Sequence, residues 1–174
     1  QGAVVLMVAH AFSSAGLFIL SGQLYERIHT RDMRIMGGLW GRIPTLPGFT
    51  LCFVAASLGM PATANFVGEF MILFGTFPSA PVVVVIASTG LVMAAIYSLI
   101  LMQRVHFGPA YRDGALAGPD WREYGMMLAL LALVLVVGLY PQPLLDTTAS
   151  MSGRVVELFA SGAQNLAETA GEVR

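Results

Sequence analysis

Between Ile43 and Gln103 the sequence carries a single formal charge, Glu69. A soluble domain covers its surface with charged and polar groups and carries about 25% charged residues on average. This chain has 11% charged and 56% apolar residues, with a mean hydropathy of +0.75. That pattern excludes a disordered chain and an ordinary soluble enzyme. A net charge of −1 gives no electrostatic case for binding nucleic acid. What remains is a polytopic, all-α membrane protein in contact with the lipid bilayer, and Glu69 is the residue that such a protein has to explain.

Three compositional details bear on the function. All nine basic residues are arginine, and lysine is absent. The one cysteine, Cys52, can form neither an internal disulfide nor a multi-cysteine metal site. The chain opens on Gln1 with no basic n-region or small-residue cleavage site, so the expectation is a piece of a longer chain rather than a secretory precursor.

A spanning helix needs about 20 apolar residues at ~1.5 Å rise each to cross ~30 Å of hydrocarbon. Four stretches qualify, at about 1–25, 46–77, 81–103 and 124–145. Each is continuous and far longer than the ~10-residue alternating strands of a membrane barrel, which makes them helices. The second is too long for a simple span and contains Gly59 and Pro61 ahead of Thr63 and Asn65. Pro61 lacks an N–H and its ring clashes with the carbonyl four residues back; Gly59 frees the backbone just before it. The expectation is a discontinuous second span, its second half starting near Thr63 or Asn65, with the freed polar groups covered by protein or a water-filled cavity. A simple proline kink is the plainer alternative.

Charge placement sets the topology. Arg27, Arg31, Arg34 and Arg42 lie in the first loop, none lies in the 76–80 turn, and Arg104, Arg112 and Arg122 lie in the third connection. Basic loops stay cytoplasmic, so the C-terminal tail is expected outside. Trp121, Tyr124 and Tyr140 sit where an interfacial aromatic belt belongs. The tail, 146–174, has Val155, Leu158, Phe159 and Leu166 at helical spacing, with Arg154, Glu157, Gln164 and Glu168 between them, as in an amphipathic helix lying on the outer surface. Contact with a neighbouring subunit reads equally well. The domain expectation is therefore a transmembrane unit over 1–145 and a surface tail over 146–174.

Glu69 lies eight residues before Phe77, which is roughly 12 Å from the outer end of its helix. An ionised carboxylate at that depth costs ~2.5–3.5 kcal/mol or more. It must be neutralised or held by a cation and water, and a carboxyl poised between those states suits a proton relay. The structural alternative is a permanently protonated side chain bonded to a helix backbone. His10 is the second candidate, because its ordinary pKa of ~6.5 suits reversible proton transfer; a merely satisfied polar residue is its alternative. Ser13, Ser14 and Thr63 could carry water, although capping or bonding back to the helix is the commoner use of such hydroxyls. In the arginine-rich loop, Glu26 with Arg27 and Arg31 with Asp32 could form docking pairs, and topology alone would also account for them. No dinucleotide fingerprint, phosphate loop or cysteine cluster is present. His10, His29 and His106 lie too far apart for a metal or haem site, and independent catalysis by this chain is not expected.

Leu17 to Arg31, with Tyr25-Glu26-Arg27-Ile28-His29-Thr30-Arg31 at its end, closely resembles the antiporter-like subunit M family of respiratory NADH:quinone oxidoreductase, complex I, whose mitochondrial counterpart is subunit 4. Gly59-Met60-Pro61 and Asn65-Phe66-Val67-Gly68-Glu69-Phe70 are similar to that family's broken-helix signature, and Tyr140-Pro141-Gln142-Pro143 with Asp146 looks like its C-terminal end. The resemblance covers essentially this whole chain but only the last third or so of a family member. It implies a proton-translocating membrane-arm subunit in a bacterial inner membrane, multi-pass, with its C-terminus periplasmic and other complex I membrane subunits as partners. It places NADH, FMN, iron–sulfur clusters and quinone in other parts of the complex, with no cofactor in this chain. It makes Glu69 the glutamate ending a line of buried charges and His10 a histidine of the preceding helix, the two relaying protons. Related antiporter-like subunits usually carry lysine at the position of Glu69, and glutamate favours subunit M. Ala62 and Ala64 depart from a family pattern richer in glycine. The family's central lysines belong to earlier helices, so this chain would hold only the terminal part of a proton path. Two other readings stay open: a subunit of a multi-subunit cation/proton antiporter, and a scaffold module that only holds its neighbours.

Overall fold

The computed structural model describes residues 1–109 and 116–172, with side chains up to residue 162. Arg112 and Arg174, and the side chains of Gln164, Leu166 and Glu168, lie outside the described residues. Within them the order is α1 (Gly2–Ile28), α2 (Leu39–Arg42), α3 (Thr45–Ser57), α4 (Ala64–Thr76), α5 (Pro81–Val105), α6 (Trp121–Leu139) and α7 (Gln142–Glu172). Helices α1, α5 and α6 are each long and apolar enough to cross a membrane. Helices α3 and α4 are the two halves of the second span, each too short to cross alone at 13 residues. The fold is a polytopic helical membrane protein with a discontinuous second span.

Local chemistry explains the boundaries. α1 runs on to Ile28 and stops at His29, whose left-handed conformation (φ 51°) lets its N–H bond Tyr25 O. α5 starts on Pro81, whose missing N–H costs nothing in the first turn. α6 starts at Trp121, earlier than hydropathy suggested, because Asp120 and Glu123 form a capping box that satisfies its first N–H groups. It ends at Leu139, since Pro141 cannot continue the ladder, so Leu144 and Leu145 belong to α7 and not to the fourth span. α7 begins at Gln142, ahead of the expected tail boundary. Its apolar Val155, Leu158 and Phe159 are all exposed.

α1 is the hub, packing on α3, α4 and α6. Its crossing with α4 is close: a Cβ on Gly68 would sit 2.7 Å from the Leu6 backbone nitrogen. Two apolar helices in lipid gain little from burying hydrocarbon against each other, so small residues that let backbones approach drive this association. Gly16 similarly faces the ring of Phe53, which is fully buried with Leu20, Leu46, Met127 and Val134 in the core between α1, α3 and α6. α5 stands apart, with only 6% of its apolar span buried. A bilayer accepts such a surface; water does not.

The loop ends are joined by pairs other than those expected from sequence neighbours. Arg27 pairs with Glu123 rather than Glu26, Nη2 to Oε2 at 2.6 Å, with side chains 10% and 16% exposed. Asp32 pairs with Arg34 at 2.8 Å, and Arg31 lies over the Tyr25 ring, 4.8 Å from its centroid. The Arg34 guanidinium, hydrogen-bonded to the Asp32 carboxyl, pulls that carboxyl down to about 2. A group whose folded pKa is depressed stabilises above its unfolded value, and the contribution fades as pH falls from 3.8 toward about 2. At neutral pH the pair is exposed and screened. Asp32→Asn is therefore expected to leave the thermal midpoint at pH 7 unchanged, which a melting curve of the purified assembly checks.

Candidate functional site at the helix break

The break between α3 and α4 is built from Leu58 to Thr63. Gly59 adopts φ 67°, its N–H bonds Ala56 O at 3.1 Å, and the Met60 N–H bonds Ala55 O at 3.1 Å. These bonds form a Schellman cap with Gly59 at the left-handed position. Gly59 thus ends α3, and Pro61, two residues on, prevents its resumption. Ala62 also has positive φ, 78°. A side chain there costs roughly 1–2 kcal/mol that glycine would not. Thr63 occupies the N-cap position of α4 with extended backbone, but its hydroxyl donates to Met60 O at 2.7 Å, within the break. Its expected role splits accordingly: backbone cap yes, side-chain cap no.

Neighbouring elements clamp the break. A Cβ on Gly138 of α6 would collide with the Ala62 carbonyl and lie 2.7 Å from Ala64 N. Asn65, 1% exposed, donates from Nδ2 to Ser13 Oγ at 3.1 Å. Ser13 Oγ in turn donates to the backbone carbonyl of His10 at 3.3 Å. Asn65 Oδ1 is buried without a partner. The first turn of the second half-helix is therefore tied to the turn of α1 that carries His10.

Glu69 lies one and a quarter turns further along α4 and reaches back to the break. Its carboxyl oxygen occupies the space that a Cβ on Gly59 would need. Among the described residues no hydrogen bond or ion pair engages that carboxyl. His10 points elsewhere. With Ser14 it lines a cavity of about 440 Å³ between α1, α3 and α5, which Ser57 also lines. Glu69 does not line this cavity. The structure thus does not bring the two expected relay residues together: His10 lines the cavity and Glu69 rests against Gly59, and no hydrogen bond joins them. Sequence reading did not anticipate Gly138, or Gly59 as the seat of the carboxyl. Gly59 had a local signal, a glycine two residues before a proline; Gly138 had none.

The chain is similar to known membrane proteins. The family model described as NADH:quinone oxidoreductase/Mrp antiporter, transmembrane, matches residues 1–96. The chain is 53% identical over 167 residues to NADH-quinone oxidoreductase subunit M of Pseudomonas aeruginosa, covering 96% of this chain and 33% of that protein. It is 54% identical to the Escherichia coli subunit M over 92% of this chain and 32% of that one. A chain of respiratory complex I from Thermus thermophilus superposes with a TM-score of 0.76 at 26% identity, over 83% of this chain and 32% of its own. This chain spans about a third of the length of these relatives. The chain belongs to the transmembrane family shared by NADH:quinone oxidoreductases and Mrp antiporters.

Proposed function

We propose that this chain is the C-terminal part of subunit M of a proton-pumping NADH:quinone oxidoreductase, and that Glu69 is its terminal proton-relay carboxyl. The observation that carries the reading is the placement of Glu69: a solitary carboxyl in an apolar helix, set against the backbone break and, among the described residues, without a fixed cation. Half-buried and without a fixed partner among the described residues, the carboxyl can exchange a proton as a neighbouring cation or water approaches. Alternating charge along the membrane arm would then drive it to bind and release a proton. His10 and waters at the break pass that proton on. Redox chemistry belongs to other subunits, which hold NADH, FMN, iron–sulfur clusters and quinone. The site sits in the bacterial inner membrane against other membrane-arm subunits, with α7 on the periplasmic face.

Glu69→Gln in the full-length subunit keeps shape and removes the titrating group. Its expected result is a loss of NADH-driven proton uptake in inverted vesicles of about a hundredfold, at the low end of what proton-transfer groups contribute. Normal pumping by Glu69→Gln would make the residue structural. The second reading, a cation/proton antiporter, rests on the family model that both groups share. Sodium-driven proton flux in vesicles without NADH would favour it.

A further inference from the structure

Two polar groups of α4 lie unpaired four residues apart. Asn65 Oδ1 is buried with no donor, although Nδ2 of the same amide donates to Ser13 Oγ at 3.1 Å. The Glu69 carboxyl, set against Gly59, has no partner among the described residues. Native proteins rarely leave a buried acceptor without a donor. The nearby hydroxyls are committed elsewhere, Thr63 to Met60 O at 2.7 Å and Ser13 to His10 O at 3.3 Å. Nor does the seam between α1 and α4 need the amide in order to form. Gly68 admits the Leu6 backbone and Gly2 admits the Met71 side chain along the same contact. A hydrophobic residue of similar size at position 65 would pack there without an unpaired oxygen.

The two groups are complementary in one protonation state only. An amide oxygen accepts and never donates, and an ionised carboxylate also only accepts. A neutral carboxyl carries one O–H donor. Residues four apart share a helix face, and helical side chains lean toward the N-terminus, so the side chain at 69 is the one that covers position 65. Glu69 already reaches back beyond that turn to Gly59.

We propose that Asn65 is a positioning residue for the proton on Glu69: its Oδ1 accepts the O–H of the neutral carboxyl, and its Nδ2 anchors that bond through Ser13 to the turn of His10. When the carboxyl releases its proton the donor is gone, and two acceptors face each other. The carboxylate then swings to its place beside Gly59 by rotation of its own side chain. Glu69 thus has two resting places, and the proton decides between them. The chain from Asn65 through Ser13 to His10 O carries the change to the turn of α1 that bears His10, the residue that no hydrogen bond joins to Glu69. This rests on the reading of Glu69 as the proton carrier and adds the group that receives its protonated form.

Two measurements on the full-length subunit in its complex test it. The first is a double-mutant cycle on the thermal midpoint of the purified assembly. Asn65→Ala should cost as much in a Glu69→Gln background as in wild type, because the glutamine amide supplies a permanent donor. In a Glu69→Ala background it should cost about half as much or less. Equal costs in all three backgrounds would show that Asn65 serves Ser13 alone and would overturn the bond. The second is NADH-driven proton uptake in inverted vesicles. Asn65→Ala should lower it about tenfold, one hydrogen bond's worth of barrier. Ser13→Ala, which removes a single hydroxyl and keeps the helix, should lower it severalfold. Unchanged uptake in both variants would overturn the positioning role. If the cycle shows coupling while Glu69→Gln pumps normally, the bond stands and the reading of Glu69 fails. If the costs are equal while Glu69→Gln stops pumping, the reading of Glu69 stands and the bond fails.

Discussion

Gly59→Ala in the full-length protein is expected to destabilise it by about 1–3.5 kcal/mol and to displace the Glu69 carboxyl. Two independent costs add. At φ 67° any Cβ meets the following carbonyl, for roughly 1–2 kcal/mol. The new methyl must also displace the Glu69 carboxyl oxygen, the free end of a flexible side chain, which adds up to about 1.5 kcal/mol of rotamer strain. The costs separate in a double-mutant cycle. In a Glu69→Ala background the collision is gone, so Gly59→Ala should cost only the backbone strain. Thermal midpoints of the purified assembly for the four proteins measure the difference. Equal costs in both backgrounds would show that the carboxyl does not rest on Gly59.

Arg27→Ala carries the second large effect, about 2–3 kcal/mol, below the ~3–5 kcal/mol for breaking a fully buried ion pair from one side because this pair is only part-buried. The guanidinium spends all its directions on one junction. Nε donates to Ala117 O at 2.8 Å, Nη1 to Gln23 O at 2.8 Å and Glu123 Oε1 at 3.1 Å, and Nη2 to Gly118 O at 3.1 Å and Glu123 Oε2 at 2.6 Å. Glu123 also accepts the Asp120 N–H at 2.7 Å, completing the capping box of α6. Removing Arg27 therefore leaves a largely buried carboxylate unpaired and loosens both the end of α1 and the start of α6. Arg27→Lys keeps the charge but cannot reproduce the fork, and should fall between wild type and Arg27→Ala. A loss under ~1 kcal/mol for Arg27→Ala would place the pair with ordinary surface salt bridges. Denaturation of the assembled complex, with and without the substitution, decides between them.

The contrast between Arg27 and Glu69 shows how far the sequence can be read. Glu69 stood out because its isolation is a one-dimensional fact: no other charge lies between Ile43 and Gln103. The break beside it was also legible, since Gly59 and Pro61 act on their own backbone. Arg27 was visible only as one of several loop arginines. Its partner is 96 residues away, and neighbours in sequence such as Glu26 were a false guide. The fourth span was read too far, through Leu145, because hydropathy does not stop at Tyr140 while the backbone does, at Pro141. His10, Ser14 and Ser21 shared a helical face from the start, but that such a face lines a cavity depends on how α3 and α5 are set against α1.

What the sequence by itself determined is therefore what has a local cause. Charge-free runs of spanning length make membrane helices, arginine-rich loops mark one surface, and glycine before proline opens a break. The tertiary structure decided what depends on the direction of side chains and the crossing of helices. It set Gly68 against Leu6 and tied Asn65 through Ser13 to the turn of His10. It also turned Glu69 back onto Gly59 while His10 faced the cavity between α1, α3 and α5. Residues four apart on one helix share a face whatever surrounds them; which face meets which is fixed only when the helices pack.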